Sequence, residues 1–138
     1  MFIFLDKYNS RVFKNNSTNI GIIYRNYNSK KREIELIKIA KACKRANFKL
    51  YVSNNIKLAL KLNLDGAYIP SFNSSLKHLC YSIKKSFRII GSAHNIKEIK
   101  IKEKQKVEKI VLSSLFKKNK NYLGLYKFKL LSKLTKRK

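Results

Sequence analysis

Short apolar runs recur along the chain, and longer segments of mixed apolar and polar residues separate them. Six of these runs are rich in β-branched and aromatic residues and have the length of strands. They occupy residues 2–5, 19–24, 48–52, 67–69, 87–91 and 109–112. Because the runs are continuously apolar rather than alternating, they predict strands of a parallel sheet that is covered on both faces.

The segments between most of these strands have apolar residues at helical spacing. Helices are predicted for residues 29–46, with Ser29 as N-cap, and for residues 56–62, 75–86, 96–106 and 124–134. Strands that alternate with helices predict an α/β fold in a single domain over residues 1–138, with right-handed crossovers. A (β/α) barrel and an open flavodoxin-like sheet both agree with this pattern.

The charge of the chain raises the question of nucleic-acid binding. The formal net charge is +26, from 33 basic and 7 acidic residues. The lysines are spread along the chain, however, and Arg, which reads bases best, occurs at six positions only. Coding from an AT-rich genome explains the joint excess of Lys, Asn and Ile, so a nucleic-acid-binding module is the weakest alternative.

Cysteine content and hydropathy argue against a zinc-binding, membrane-spanning or secreted protein. Cys43 and Cys80 lie far apart without a metal-binding spacing, so we expect two buried free thiols and no zinc. No apolar window approaches the length of a membrane span, and no secretory signal is recognisable. The sequence therefore predicts a cytoplasmic protein without a membrane partner.

Polar clusters follow most of the predicted strands, at positions that share one rim in barrels and open parallel sheets. They contain hydroxyls, amides and cations, and no carboxylate was found among them. This chemistry suits a phosphate better than Mg²⁺ held by protein carboxylates or a carboxylate acid–base pair. Ser and Asn also serve as helix caps, but Arg25, His94 and Lys120 do not.

Four segments in unbroken order resemble the thiamine phosphate synthase family, including its TenI-type members. Residues 50–60 are similar to the family's strand that ends in Asn-Asp-Arg, and residues 65–73 are similar to its Asp-Gly-Val-His-Leu-Gly-Gln-x-Asp segment, with Asn73 at the last position. Residues 89–95 resemble its Ile-Gly-x-Ser-x-His-Ser segment, and residues 110–117 resemble its Gly-Pro-Val-Phe-Pro-Thr segment. The family adopts a TIM (β/α)₈ barrel, so the resemblance implies an incomplete barrel of about six βα units here.

The resemblance implies a function in thiamine biosynthesis. The family couples a pyrimidine pyrophosphate to a thiazole phosphate, with Mg²⁺ between the pyrophosphate and two Asp carboxylates. By position, Ser92 and Lys120 are the expected catalytic residues. The expected substrate- and phosphate-binding residues are Arg25, Ser53, Asn54, Asn73 and His94.

The sequence departs from the family at the metal site. Both metal-binding Asp positions hold amides, Asn54 and Asn73, so no metal ligand is predicted and Mg²⁺ binding should be weakened. Whether the chain is an active transferase is therefore left open. The alternative is a non-catalytic remnant of the barrel that binds phosphorylated pyrimidine or thiazole compounds or self-associates through open sheet edges.

Overall fold

The computed structural model describes residues 1–14, 19–115 and 119–135. The strands in this part of the chain are β1 (Phe2–Leu5), β2 (Gly21–Tyr24), β3 (Lys49–Ser53), β4 (Gly66–Ile69), β5 (Arg88–Ala93) and β6 (Lys109–Leu112). The α-helices are α1 (Arg32–Ala46), α2 (Ile56–Lys61), α3 (Ile96–Lys104) and α4 (Gly124–Leu134). Each predicted strand is present, and none of its ends differs from the prediction by more than two residues.

The chain divides into two compact units, which are described in turn. The first comprises Met1–Tyr68 and Ile83–Phe87, and the second comprises Ile69–Ser82 and Arg88–Lys138. The single domain predicted for residues 1–138 stays a prediction.

In the first unit, strands that are consecutive in sequence are also neighbours in the sheet. β1 pairs with β2, β2 with β3, and β3 with β4, all parallel. This is the order that a repeated strand–helix unit produces when every crossover returns to the adjacent position. The parallel α/β arrangement therefore agrees with the prediction from the apolar runs.

The two faces of this sheet bury different side chains. One face packs against α1 and α2 in a core that includes Ile22, Leu36, Leu50 and Val52. On the other face aromatic rings meet edge to face, with centroids 5.7 Å apart for Phe2 and Tyr51 and 5.4 Å apart for Phe4 and Tyr68.

Gly21 makes close packing on the aromatic face possible. A Cβ atom at this position would lie 2.6 Å from the Phe2 ring, which is closer than carbon atoms can approach. The absence of a side chain at Gly21 therefore lets the Phe2 ring lie across β2.

In the second unit, β5 and β6 pair in parallel, with Ile90 opposite Lys109 and Ala93 opposite Leu112. α3 covers β5 and buries Ile99 together with two polar side chains, Lys102 and Gln105, all with no measurable exposure. Three hydrogen bonds from these polar side chains hold the loop after β4. The Lys102 Nζ donates to the Asn73 carbonyl at 2.7 Å, and the Gln105 Nε2 donates to the Asn73 and Ser75 carbonyls at 2.9 Å.

This loop is where the helix prediction was wrong. Residues 75–86 contain one 3₁₀ turn, Lys77–Cys80, rather than a helix. Leu76 and Leu79, which the predicted helix would place on one face, are exposed, while His78 is buried and its Nε2 lies 2.9 Å from the Gln105 carbonyl. The buried polar groups of α3 bind the loop backbone, and this tertiary contact overrides the helical periodicity of the segment.

The ends of the helices depend on local hydrogen bonds. The Asn55 and Asn95 side chains accept from the backbone N–H groups three residues on and cap α2 and α3. Ser29 was wrongly predicted as the cap of α1, because this helix begins at Arg32 and the Ser29 hydroxyl accepts from the Lys31 N–H. Asn47 ends α1 in the left-handed conformation that Asn tolerates, as expected from the sequence.

Four ion pairs lie on the surface of the described residues. Lys49–Asp65 and Lys61–Glu33 belong to the first unit, and Arg88–Glu108 and Lys100–Glu103 to the second, with N–O distances of 2.7–3.1 Å. Two further carboxylates make hydrogen bonds, Glu35 with the Tyr24 hydroxyl and Glu98 with the His94 N–H. Among the helices of the described residues, none has the length and apolar character needed to cross a bilayer.

The two cysteines differ in exposure, which leads to a first prediction. Cys43 is buried in α1 as expected, and burial with the nearby Asp65 raises the pKa of its thiol to about 12. Cys80 is exposed, contrary to expectation, because the predicted helix around it is absent. Since the thiolate is the reactive form, we expect Cys80 to react with a thiol reagent at least about 100-fold faster than Cys43 in the native protein.

Titration with a chromogenic disulfide reagent checks this difference. One thiol per chain should react quickly in buffer and both in urea, and Cys80→Ser should remove the fast phase. Equal rates for the two thiols in the native wild type would contradict the burial of Cys43.

Candidate functional site

The carboxyl ends of β1 and β2 place a guanidinium group at the surface of the first unit. The Arg25 N–H donates to the Leu5 carbonyl at 2.7 Å, which extends the ladder between the two strands by one bond. The Arg25 guanidinium carbon lies 5.1 Å from the centroid of the Phe4 ring, at cation–π distance. Arg25 is exposed, so the ring orients its guanidinium while leaving it accessible to a ligand.

Ser53, at the end of β3, is buried and contributes to the local structure. Its Oγ lies 2.7 Å from the Tyr27 hydroxyl, and its carbonyl accepts a hydrogen bond from the Arg32 guanidinium. Arg32 also lies over the Tyr27 ring at 5.8 Å, and burial lowers its pKa. In the sequence, Arg32 falls in the first turn of the helix predicted for residues 29–46. That position did not indicate a second guanidinium near the strand ends.

Asn54 follows Ser53 in the left-handed conformation, with φ of 58°, which Asn adopts more readily than most residues. Its N–H donates to the Tyr68 carbonyl at 2.8 Å, and the residue is exposed. The backbone of Asn54 thus joins the ends of β3 and β4.

A carboxylate near these residues was missed. Asp6 directly follows β1 and is exposed, and its carbonyl accepts from the Asn26 side chain at 3.0 Å. The polar clusters considered in the sequence follow the second and later strands. The prediction that no carboxylate follows a strand is therefore wrong at Asp6.

In the second unit, Asn73 is fixed by hydrogen bonds on both its side chain and its backbone. The Oδ1 accepts from the Ser75 N–H at 2.8 Å, and the carbonyl accepts from Lys102 and Gln105. Burial lowers the pKa of Lys102 to about 8, although Glu98 opposes the shift. The cation next to Asn73 is therefore a lysine ammonium that belongs to the protein itself.

Ser92 and His94 lie at the end of β5. Gly91 faces Lys102 on the helix side, so alternation along the strand places Ser92 on the opposite face, where it is buried. The His94 N–H donates to the Glu98 carboxylate at 2.7 Å, and its Nδ1 hydrogen-bonds to the Ser113 carbonyl. Because a carbonyl can only accept, Nδ1 carries a proton and the neutral ring has its acceptor at Nε2.

A cavity of about 500 Å³ brings His94 and Lys120 together. Tyr122 and Lys127 also line it, and no Asp or Glu is among its lining residues. Within each unit, therefore, the structure places a cationic group next to the end of a strand: Arg25 in the first, and Lys120, beside His94, in the second.

The residues present do not fit the Mg²⁺ site of the family. The two positions that the resemblance assigns to the metal hold the amides Asn54 and Asn73, and an ammonium group contacts the carbonyl of the latter. No group of three His, Cys, Asp or Glu side chains suited to a metal occurs among the described residues. Mg²⁺ prefers several oxygen ligands that include carboxylates, so the protein donors here offer little affinity.

Comparison with known proteins agrees with the resemblance seen in the sequence. The family model for thiamine monophosphate synthase matches residues 15–136. A search of curated proteins finds no significant match. A solved structure of thiamine phosphate pyrophosphorylase from Pyrococcus furiosus superimposes with a TM-score of 0.72 at 16% identity, covering 99% of this chain and 70% of that one.

The structural similarity confirms the predicted fold class, an incomplete TIM-like α/β fold of six parallel βα units. At this level of identity it shows the fold alone. The family match extends over most of the sequence and confirms the resemblance seen in its motifs: the chain belongs to the thiamine monophosphate synthase family.

Proposed function

We propose that this protein binds a phosphorylated pyrimidine or thiazole precursor of thiamine phosphate, with Arg25, Ser92 and Lys120 as its principal phosphate contacts. The observation that carries the proposal is the accessible Arg25 guanidinium, fixed at the end of β2 by the Phe4 ring. Membership of the family suggests the class of ligand, and the cations near the strand ends supply the matching charge.

The charge around Arg25 supports binding of an anion. No ion pair engages this guanidinium in the described part of the chain. A guanidinium presents two parallel N–H groups that match the oxygens of a phosphate, and such charge-assisted hydrogen bonds are about twice as strong as neutral ones. The Arg25 side chain is thus preorganised for a phosphate without competition from a carboxylate partner.

If the coupling reaction takes place, the protein's cations would act on the departing pyrophosphate. Preorganised donors stabilise charge that develops in a transition state, and Lys120 is the donor proposed for this role. Ser92 and His94 would supply further hydrogen bonds, and Ser53, Asn54 and Asn73 would shape the loops around the ligand. No step in this proposal uses a protein-bound metal.

A matched pair of arginine variants tests the binding proposal. Loss of a charged hydrogen bond costs about 1.5–3 kcal/mol, so Arg25→Ala should weaken binding of thiazole phosphate roughly 10- to 100-fold. Arg45→Ala, which removes the same charge from the exposed last turn of α1, should change the affinity less than about 2-fold. Isothermal titration calorimetry at constant ionic strength measures both, and equal affinities for the two variants would refute the role of Arg25.

Product formation separates a synthase from the alternative of a non-catalytic binding protein. The amides at positions 54 and 73 and the Lys102 ammonium favour this alternative, because they remove the protein's contribution to a Mg²⁺ site. Incubation of the protein with both substrates, with and without Mg²⁺, and detection of thiamine phosphate decide between the two. If no product forms and neither substrate raises the melting temperature, both forms of the proposal are wrong.

A further inference from the structure

Two ammonium groups line the cavity next to His94. They belong to Lys120 and Lys127, and both lysines are exposed. The carboxylate of Glu98 accepts a hydrogen bond from the His94 N–H and does not line the cavity. The sequence has no Asp or Glu after Glu108, so no acidic side chain from that stretch opposes the two ammonium groups.

Apolar side chains also line the cavity. Ile96 from the first turn of α3 and Leu130 and Leu131 of α4 are among them. Ile96 is 41% and Leu130 51% exposed, so a ligand with an apolar body would remove apolar surface from water. Inorganic phosphate and pyrophosphate would leave this surface exposed.

The size of the cavity agrees with a small organic ligand. Its volume of about 500 Å³ lies within the range of about 300–1,000 Å³ that is usual for small-molecule sites. A lining that combines ammonium groups with aliphatic side chains suits a molecule with an anionic head and an apolar body.

We propose that this cavity binds a phosphate monoester with a small apolar or aromatic body, and that Lys127 and Leu130 determine this preference. The proposal rests on the proposed function for the phosphate class of ligand, and it adds two residues that the family resemblance does not assign. Lys127 contacts the phosphate together with Lys120, and Leu130 packs against the body of the ligand.

Phenyl phosphate and inorganic phosphate are suitable probes for the full-length protein. In calorimetric titrations at constant ionic strength, phenyl phosphate should bind at least about 5-fold more tightly than inorganic phosphate, because it alone buries the aliphatic wall. Lys127→Ala should weaken the binding of both ligands about 10-fold, since it removes a phosphate contact. Leu130→Ser should weaken the binding of phenyl phosphate about 5-fold and leave the affinity for inorganic phosphate unchanged.

Two controls lie on the same helix and outside the cavity. Lys129→Ala removes an equal charge, and Leu125→Ser removes an equally exposed leucine. Both should bind both ligands like the wild type. The proposal is overturned if phenyl phosphate binds no more tightly than inorganic phosphate, or if each cavity variant behaves like its control.

Failure of this inference can be distinguished from failure of the proposed function. If thiazole phosphate binding depends on Arg25 but phenyl phosphate binding does not depend on Lys127 and Leu130, the cavity is not the site and the proposed function stands. If phenyl phosphate binding shows the expected dependence while Arg25→Ala behaves like Arg45→Ala, the cavity proposal stands and the role of Arg25 falls.

Discussion

Replacement of Lys102 by alanine is expected to lower the free energy of unfolding by about 2–4 kcal/mol. Lys102 has no measurable exposure, and its Nζ donates to the Asn73 carbonyl at 2.7 Å and to the Gln105 Oε1 at 2.8 Å. The variant leaves a cavity along the lysine stem and a buried Gln105 oxygen without its donor. The loop after β4 would lose one of the bonds that hold Asn73.

Urea denaturation of the full-length protein measures this loss. Lys100→Ala is the matched control, because Lys100 lies on the same helix and makes an exposed ion pair with Glu103. Such a pair contributes less than about 1 kcal/mol. Equal destabilisation by the two substitutions would show that the buried hydrogen bonds of Lys102 contribute nothing beyond those of a surface lysine.

The effect of Lys102→Ala should also grow with pH. Burial lowers the pKa of Lys102 from 10.5 to about 8, so between these values the unfolded chain binds a proton that the folded chain does not. Stability of the wild type therefore gains from this group as pH rises through that window, by on the order of 1–3 kcal/mol. The alanine variant lacks this contribution, and the difference between the two proteins should be larger at pH 10 than at pH 7.

Gly91→Ala is expected to cost about 1–3 kcal/mol in the wild-type background, because the space beside β5 is filled by Lys102. A Cβ atom at Gly91 would lie 2.7 Å from the Lys102 Cδ and 3.2 Å from the Val107 Cγ1. A lysine stem usually moves aside from such a contact, but the Nζ of this one is held by two acceptors. The added methyl group therefore has to break these bonds or displace the strand.

A double-mutant cycle identifies Lys102 as the cause. In the Lys102→Ala background the clashing Cδ is absent, so Gly91→Ala should cost at least about 1 kcal/mol less than in the wild type. Urea denaturation of the four proteins gives the coupling energy. Strictly additive effects would mean that the strain arises at Val107 or in the backbone.

The strands could be predicted from the sequence because continuous apolar runs depend on local composition alone. The helix expected over residues 75–86 could not be excluded in this way. Its periodicity shows which side chains could share a face, but not that the buried Lys102 and Gln105 bind the backbone of this loop. Both polar residues fall within the helix predicted for residues 96–106, and its sequence pattern does not show that they are buried.

Prediction of the candidate site from the sequence has the same limit, because contacts between distant segments leave no local pattern. The position of Arg25 after a strand was enough to predict an accessible cation at the end of β2. Burial of Ser53 depends on the Tyr27 hydroxyl, which comes from a different loop. Lys127 and Leu130 line the cavity beside His94 only because α4 lies near the start of α3, and no local pattern in the sequence encodes this.

The ion pairs and hydrogen bonds of the carboxylates have a consequence for how the chain tolerates mutation. The chain has 33 basic and 7 acidic residues, so other basic residues can supply the charge of most lysines. Exchange of one such lysine for glutamine should therefore change the stability little. Six of the seven carboxylates, in contrast, each make a separate contact: those of Glu33, Glu35, Asp65, Glu98, Glu103 and Glu108. The carboxylates of Glu35 and Glu98 bind a tyrosine hydroxyl and a backbone N–H rather than a surface cation, so these are the acidic positions where sequence drift should be slowest.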